Sequence, residues 1–275
     1  MKPSVFSLLV SALAGTVAAK PVEAAAIAGA DLEPASPMTQ HAPKAVLTVL
    51  VTGFGNFAQL KNPSWEIAKG LPSCLPALGA DKGKTIEIPP VRILVPQEAI
   101  PVSYKAVREI VPSFWETYQG HKVDLAIHIG MTAGSVYKIE RRGHRNGYKI
   151  GDIDEEIPED EEKGKKGENW IWQGLPDEIQ TELDLDDVLK RWQGFGAKNA
   201  SLQVSEDAGR FLCDFIYYSS LSTLWKRQRP RKVVFLHVPT DSSSQAVRQG
   251  QELTLSLIRS MVESETQRAG NAACT

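Results

Sequence analysis

Cys213 and His237 are the residues of this 275-residue chain best placed for nucleophilic chemistry. Cys213 sits in SEDAGRFLCDFIYY, Ser205 to Tyr218, a glycine-containing stretch with an amphipathic helical pattern. His237 sits near the C-terminal end of the strand-like run VVFLHVP. A thiol attacks as its thiolate, a form favoured by a helix N-terminus and by an imidazole within reach. The helical pattern continues through Phe215, Ile216, Tyr217 and Leu221, and the basic turn KRQRPRK, Lys226 to Lys232, which reads as solvated, then leads into the His237 strand. In open α/β sheets, sites form at the carboxyl ends of strands, where His237 falls. A cysteine in an apolar helix is more often a small core residue, so the pair alone does not define a site.

The surrounding pattern alternates strands and helices. KAVLTVLVT reads as a strand, followed by a glycine-rich turn and by PSWEIAKGL, which starts a helix after Asn62. TIEIPPVRILVP is broken by prolines into short strands, Tyr104 to Tyr118 has helical spacing, and VDLAIHIGM is a buried strand. SVYKIERRG and Ala200 to Val204 are strand-like, Leu183 to Trp192 is helical, and a long terminal helix runs from about Ser243 to Glu263. Such alternation predicts an α/β fold, a single-domain three-layer α/β/α sandwich with a mainly parallel twisted sheet. Asp152 to Asn169 reads as a charged, proline-interrupted insertion whose far end Trp170 and Trp172 anchor to the body, a substrate-side lid being the other possibility.

Other chemistries are less well supported. Five histidines without HxxxH or HxH spacing give no zinc signature. His128 reads as a satisfied core histidine, His144 as a loop-surface residue, and His41 and His121 fall in a tail and a turn. The run DEEIPEDEEKGKK lacks the ordered ligands of a calcium loop and reads as solvated. Gly53 to Ala58, GFGNFA, partly fits a dinucleotide fingerprint and leaves an oxidoreductase as an alternative. Phe54 and Phe57 would crowd a pyrophosphate, and no acidic residue closes a second strand at the ribose position. A serine hydrolase lacks its G-x-S-x-G elbow.

Six segments, TVLVTGFGNF (Thr48–Phe57), NPSW (Asn62–Trp65), HIGMTAG (His128–Gly134), IERRGHRN (Ile139–Asn146), SEDAGRFLC (Ser205–Cys213) and FLHVP (Phe235–Pro239), occur in an order that resembles the pyroglutamyl peptidase I family of cysteine peptidases. The resemblance spans about Val46 to Ser264. It implies Cys213 as nucleophile, His237 as general base and Glu140 as the acid that orients the imidazole. It also implies Phe54 and Phe57 as faces that sandwich the pyroglutamyl ring, Asn62 as support for their loop, and Met131 at a substrate-contacting position. The expected substrates are N-terminally pyroglutamylated peptides, and the expected cofactors and metals are none. Two departures stand out: Asp214 follows the cysteine where bacterial relatives have Asn, and Met131 stands where they have Gln. Without the resemblance, Glu140 reads as a partner of Arg141 or Arg142 on a solvated edge. An inactive relative that binds pyroglutamyl peptides without turnover is the other alternative, and the intact Cys213, Glu140 and His237 set argues against it.

The composition, with 42% hydrophobic and 23% charged residues and a net charge of -2, suits one globular core and argues against nucleic-acid or anionic-membrane partners. Residues 1–19 match a secretory signal with cleavage after Ala19, too short for a membrane span. Residues 20–44 read as an Ala- and Pro-rich leader, 45–265 as the catalytic domain and 266–275 as a flexible tail. Secretion or a vacuolar route is expected, with the cytosol, where the resembled family usually works, as the alternative. Three cysteines do not make a disulfide framework, and Cys74, in the loop PSCLP, and Cys274 could pair with each other, or one could stay free, without touching Cys213. Asn199 opens a glycosylation sequon. Oligomeric state is open at this point.

Overall fold

The computed structural model describes residues 45–57, 59–79, 88–158, 170–195 and 200–272. The signal-like segment, the leader, Cys274, Asn199 and most of the charged insertion therefore lie outside the described residues.

Three long apolar runs form the centre of the sheet: β1 (Leu47–Gly53), β4 (Leu125–Thr132) and β9 (Val233–Pro239). Each is buried over nearly its whole length, as expected for parallel strands covered on both faces. With β2 (Cys74–Leu75), β3 (Val91–Leu94), β5 (Val136–Glu140) and β8 (Ser201–Ser205) they make a seven-stranded sheet in the order β2-β3-β1-β4-β9-β5-β8. Pairing is parallel except at β2–β3 and β5–β9. A separate antiparallel ribbon joins β6 (Arg142–His144) to β7 (Glu178–Gln180).

Strand alternation sorts the sheet's side chains into two cores. Val49, Val51, Ile127, Ile129, Leu236 and their neighbours pack with α1 (Pro63–Lys69), α3 (Leu185–Gly194) and α5 (Ser244–Ala272). Leu50, Ala126, Val233 and Phe235 face α2 (Tyr104–Phe114) and α4 (Leu212–Lys226). The predicted three-layer α/β/α sandwich with a mainly parallel sheet is the observed fold. None of the described helices is long and apolar enough to cross a membrane.

The structure corrects several local expectations. The Cys213 helix is not amphipathic but buried on nearly every side, because the sheet covers one face while α2 and the β6–β7 ribbon cover others. The terminal helix does not give way to a flexible tail at 266 but continues to Ala272. Cys74 lies in a two-residue edge strand and is an exposed free thiol. The basic turn is only partly solvated: Arg229 donates to the carbonyls of Trp115 and Val123, and Arg231 and Lys232 pair with Glu182 and Glu265. Asp152, at the start of the charged insertion, is buried, and its carboxylate accepts from the backbone N–H groups of Tyr104, Asp154 and Glu156. Trp172 is buried against Phe215 and Tyr218, the anchoring role expected of it.

Candidate active site

The sheet register assembles the site. In β9, Phe235 and His237 point to the α4 side, and β9 runs parallel to β4 with Gly130 beside His237. On its other edge β9 meets β5 antiparallel, with Glu140 opposite Phe235. Glu140 is thus the diagonal, same-face neighbour of His237, a separation that a glutamate and an imidazole can span together. The Glu140 Oε1 lies 2.7 Å from His237 Nδ1, and the glutamate is fully buried. Its backbone carbonyl accepts from the Tyr217 hydroxyl at 2.8 Å. The surface pairing that the sequence left open for Glu140 is taken by others: Arg141 binds Glu206 and Asp186, and Arg142 binds Glu206 and Glu178.

With Nδ1 committed to Glu140, Nε2 is the nitrogen left for the hydrogen bond that His237 makes with Cys213. Burial opposes a charge on this imidazole, but the Cys213 sulfur and the Glu140 carboxylate outweigh it and raise its pKa to about 9. The histidine is therefore held as imidazolium at neutral pH, ready to protonate a leaving group.

Cys213 is a half-buried free thiol in the first turn of α4. Phe211, the residue that precedes the helix, is extended and supplies no side-chain cap. The first-turn N–H groups therefore point out of the helix end beside the sulfur, where an oxyanion can be met. β4 comes so close to this thiol that a Cβ on Gly130 would lie 2.8 Å from the Cys213 sulfur and 2.7 Å from the Phe235 ring. Gly130→Ala is expected to lower thermal stability, by about 1–3 kcal/mol, and to reduce Cys213 reactivity together with it. Thermal melts and alkylation of Cys213 measure both. A variant with native stability and reactivity would show that the neighbours yield freely.

The predicted substrate-side residues are only partly gathered here. Phe54 continues β1, bridges to Ile100, and is 3% exposed within the α2–α4 core. Phe57 is half-buried and meets Phe211 edge-on at 5.3 Å. Asn62 caps α1 through a bond from Ser64 N to its Oδ1, and its own N–H donates to Asn56, which ties the Phe57 loop to the helix. Strand alternation turns the Met131 side chain to the face opposite Gly130 and Cys213. Because Phe54 is core, Phe54→Ala is expected to cost about 3–5 kcal/mol of stability. Phe57→Ala is the cleaner probe of lactam contact and should raise KM with a much smaller change in melting temperature. An unchanged KM in that variant would remove Phe57 from the pocket.

Of the histidines, His128 is the satisfied core residue expected. Its ring bonds Thr52 and Ser220 at 2.7 and 2.8 Å, and burial lowers its pKa to about 3. His144 is not at the surface. It is buried at the end of β6, where its ring and backbone N–H both reach the Asp214 carboxylate at 3.2 Å. Asp214 is itself fully buried and also accepts from the Tyr148 hydroxyl at 2.9 Å. Burial pushes its pKa up, against the pull of His144, Tyr148 and Arg210. No local spacing in the sequence signals this cluster. No group of His, Cys, Asp and Glu among the described residues could hold a metal ion.

The profile of the pyroglutamyl peptidase family matches residues 47–267. Pyroglutamyl-peptidase 1 of Rattus norvegicus is 31% identical over 228 residues, 82% of this chain and 95% of that protein. The Homo sapiens protein of the same name is 32% identical over 193 residues, 70% of this chain and 78% of its own. The solved structure of a mutant pyrrolidone carboxyl peptidase from Pyrococcus furiosus superposes with a TM-score of 0.60 at 23% identity, covering 79% of this chain and 99% of the other, a likeness of fold. The match over most of the chain and the two similar proteins place it in the same group as its resembling motifs: the chain belongs to the pyroglutamyl peptidase family.

Proposed function

We propose that this protein is a cysteine peptidase that removes an N-terminal pyroglutamyl residue from peptides. The observation that carries the reading is the Cys213–His237–Glu140 chain of hydrogen bonds at the carboxyl ends of the strands, in a chain of this family. Pyroglutamate offers no amine to an ordinary aminopeptidase, so recognition rests on a small neutral lactam, for which aromatic faces such as Phe57 and backbone hydrogen bonds are suited. The Cys213 thiolate attacks the pyroglutamyl carbonyl carbon, and the first-turn N–H groups of α4 receive the oxyanion. His237 gives its proton to the departing amine, which leaves a thioester on Cys213. His237 then takes a proton from water, hydroxide displaces the sulfur, and free pyroglutamate and the thiolate return. Glu140 holds the imidazole in place and balances its charge.

The test is hydrolysis of a fluorogenic pyroglutamyl amide beside the matching glutamyl amide, with protein from Lys44 onward kept reduced. Cleavage of the lactam substrate alone supports the reading. Absence of cleavage by folded protein would favour the binding relative without turnover.

For the chain's route, the apolar run and small residues of segment 1–19 support removal after Ala19. N-terminal sequencing of native protein should then find Lys20 first, and Met1 in place would exclude it.

A further inference from the structure

The catalytic scheme leaves Asp214 without a task, although it follows the nucleophile directly and is the most completely buried carboxylate near it besides Glu140. Burying a carboxylate is costly unless its oxygens are satisfied, and at Asp214 both are occupied. They accept from the His144 backbone N–H, and one accepts from the His144 ring and the other from the Tyr148 hydroxyl. Adjacent helical positions diverge, so Cys213 faces His237 while Asp214 faces β6.

This link closes a ring. Cys213 bonds His237, His237 bonds Glu140, the chain runs from Glu140 through β6 to His144, and His144 bonds Asp214, which is covalently joined to Cys213. A second tie within the ring runs from the Tyr217 hydroxyl of the same helix to the Glu140 carbonyl. β6 lies so near α4 that a Cβ on Gly143 would fall 2.9 Å from the Tyr218 nitrogen. The helix that carries the nucleophile thus grips the β5–β6 segment at two points, at Glu140 in β5 and at His144 in β6.

We propose that Asp214 is a positioning residue: through His144 in β6 it fixes the chain segment that leads back to Glu140 against the helix bearing Cys213 and so sets the thiol–imidazole geometry. The inference rests on the peptidase reading for its kinetic consequences, but not for its effect on the thiol. His144 also accounts for an acid at this place, since Asp accepts from both N–H groups of that residue. Asn can take over the role, because the single Tyr148 O–H can turn to the His144 carbonyl, leaving its oxygen to accept from an amide, while the imidazole can change tautomer.

The experiment compares Asp214→Ala, Asp214→Asn, His144→Ala and the Asp214→Ala, His144→Ala double variant. Readouts are kcat and KM on the pyroglutamyl amide, and the rate of Cys213 alkylation by iodoacetamide, followed by mass with exposed Cys74 as internal reference. Asp214→Ala should lower kcat on the order of 10- to 100-fold, as expected for slight misplacement of reacting groups, with KM within about twofold. Cys213 alkylation should change several-fold while Cys74 does not. Asp214→Asn should restore kcat to within about threefold, and the double variant should be no worse than the worse single one, as expected for partners in one interaction. Should Asp214→Ala fail to fold, His144→Ala carries the same prediction. Wild-type kcat and alkylation in a folded Ala variant would overturn the proposal, as would equal losses in Asp214→Asn and Asp214→Ala, or additive losses in the double variant. If wild-type protein hydrolyses no lactam amide, the peptidase reading fails, and the alkylation rates alone decide the role of Asp214.

Discussion

Cys213→Ser is expected to lower kcat/KM on a pyroglutamyl amide by on the order of ten-thousand-fold or more, the scale at which loss of a covalent nucleophile is felt in other hydrolases. The change swaps one small side chain for another at a half-buried position, so the fold should persist, and a native thermal melt would show that it does. The loss is chemical. His237 is held as imidazolium at neutral pH, so in the proposed mechanism it begins the reaction as an acid. A serine hydroxyl would have to be deprotonated during attack by an imidazole that no longer has the Cys213 sulfur beside it. Iodoacetamide should inactivate the wild-type protein with a stoichiometry of one at Cys213, whatever happens at Cys74. Turnover within about tenfold of wild type in Cys213→Ser would end the thioester mechanism, and inactivation that tracks Cys74 would move the reactive thiol elsewhere.

How much of this was legible in the sequence depends on whether a feature is local. The strands β1, β4 and β9 announce themselves as continuous apolar runs because both faces of a parallel sheet are buried, and His237 at the end of VVFLHVP falls where sites form in such sheets. The Asn62 cap was likewise written locally, by an Asn before Pro and an apolar helical pattern. Glu140 was not legible from spacing, since two arginines are its sequence neighbours while its partner is 97 positions away and is reached by an antiparallel strand inserted in a parallel sheet. Only the resemblance of the motifs pointed to it. Asp214 and His144 carry the same lesson, at a separation of 70 positions. The helix α4 misled for a related reason: its serines and tyrosines look like a polar face, but they are buried, and three of them bond inward, Tyr217 to Glu140, Tyr218 to Pro176 and Ser220 to His128. Strands of two or three residues, such as β2 and β7, are set by the neighbour they pair with and leave no periodicity to read.

Glu140→Gln is expected to reduce kcat by on the order of 100- to 10,000-fold and to move the alkaline limb of activity to lower pH. Gln can keep an oxygen near His237 Nδ1, so the imidazole keeps a partner; what it loses is the charge that favours imidazolium. The direction follows from the causes acting on His237. Burial alone would hold its pKa below the ordinary 6.5, while Cys213 and Glu140 lift it to about 9, so removing the Glu140 charge must let it fall. In the wild type, the imidazolium that the proposed mechanism uses to protonate the leaving amine is then present through neutral pH and lost as pH rises through about 9. Stability obeys the same sign. A group whose folded pKa is raised contributes fully below its unfolded value of about 6.5, and that contribution fades as pH climbs from there through about 9. The wild-type melting temperature should therefore decline between pH 6.5 and 9.5 by more than that of Glu140→Gln, which has less of this contribution to lose. The buried Glu140 Oε2 has no partner, so the Gln amide placed there also buries an unsatisfied donor, and the variant should start from a lower melting temperature. A pH–rate profile of kcat/KM from pH 6 to 10.5 for both proteins, with parallel melts, decides the matter. An alkaline limb at the same pH in the two proteins would show that the Glu140 carboxylate does not hold the proton on His237.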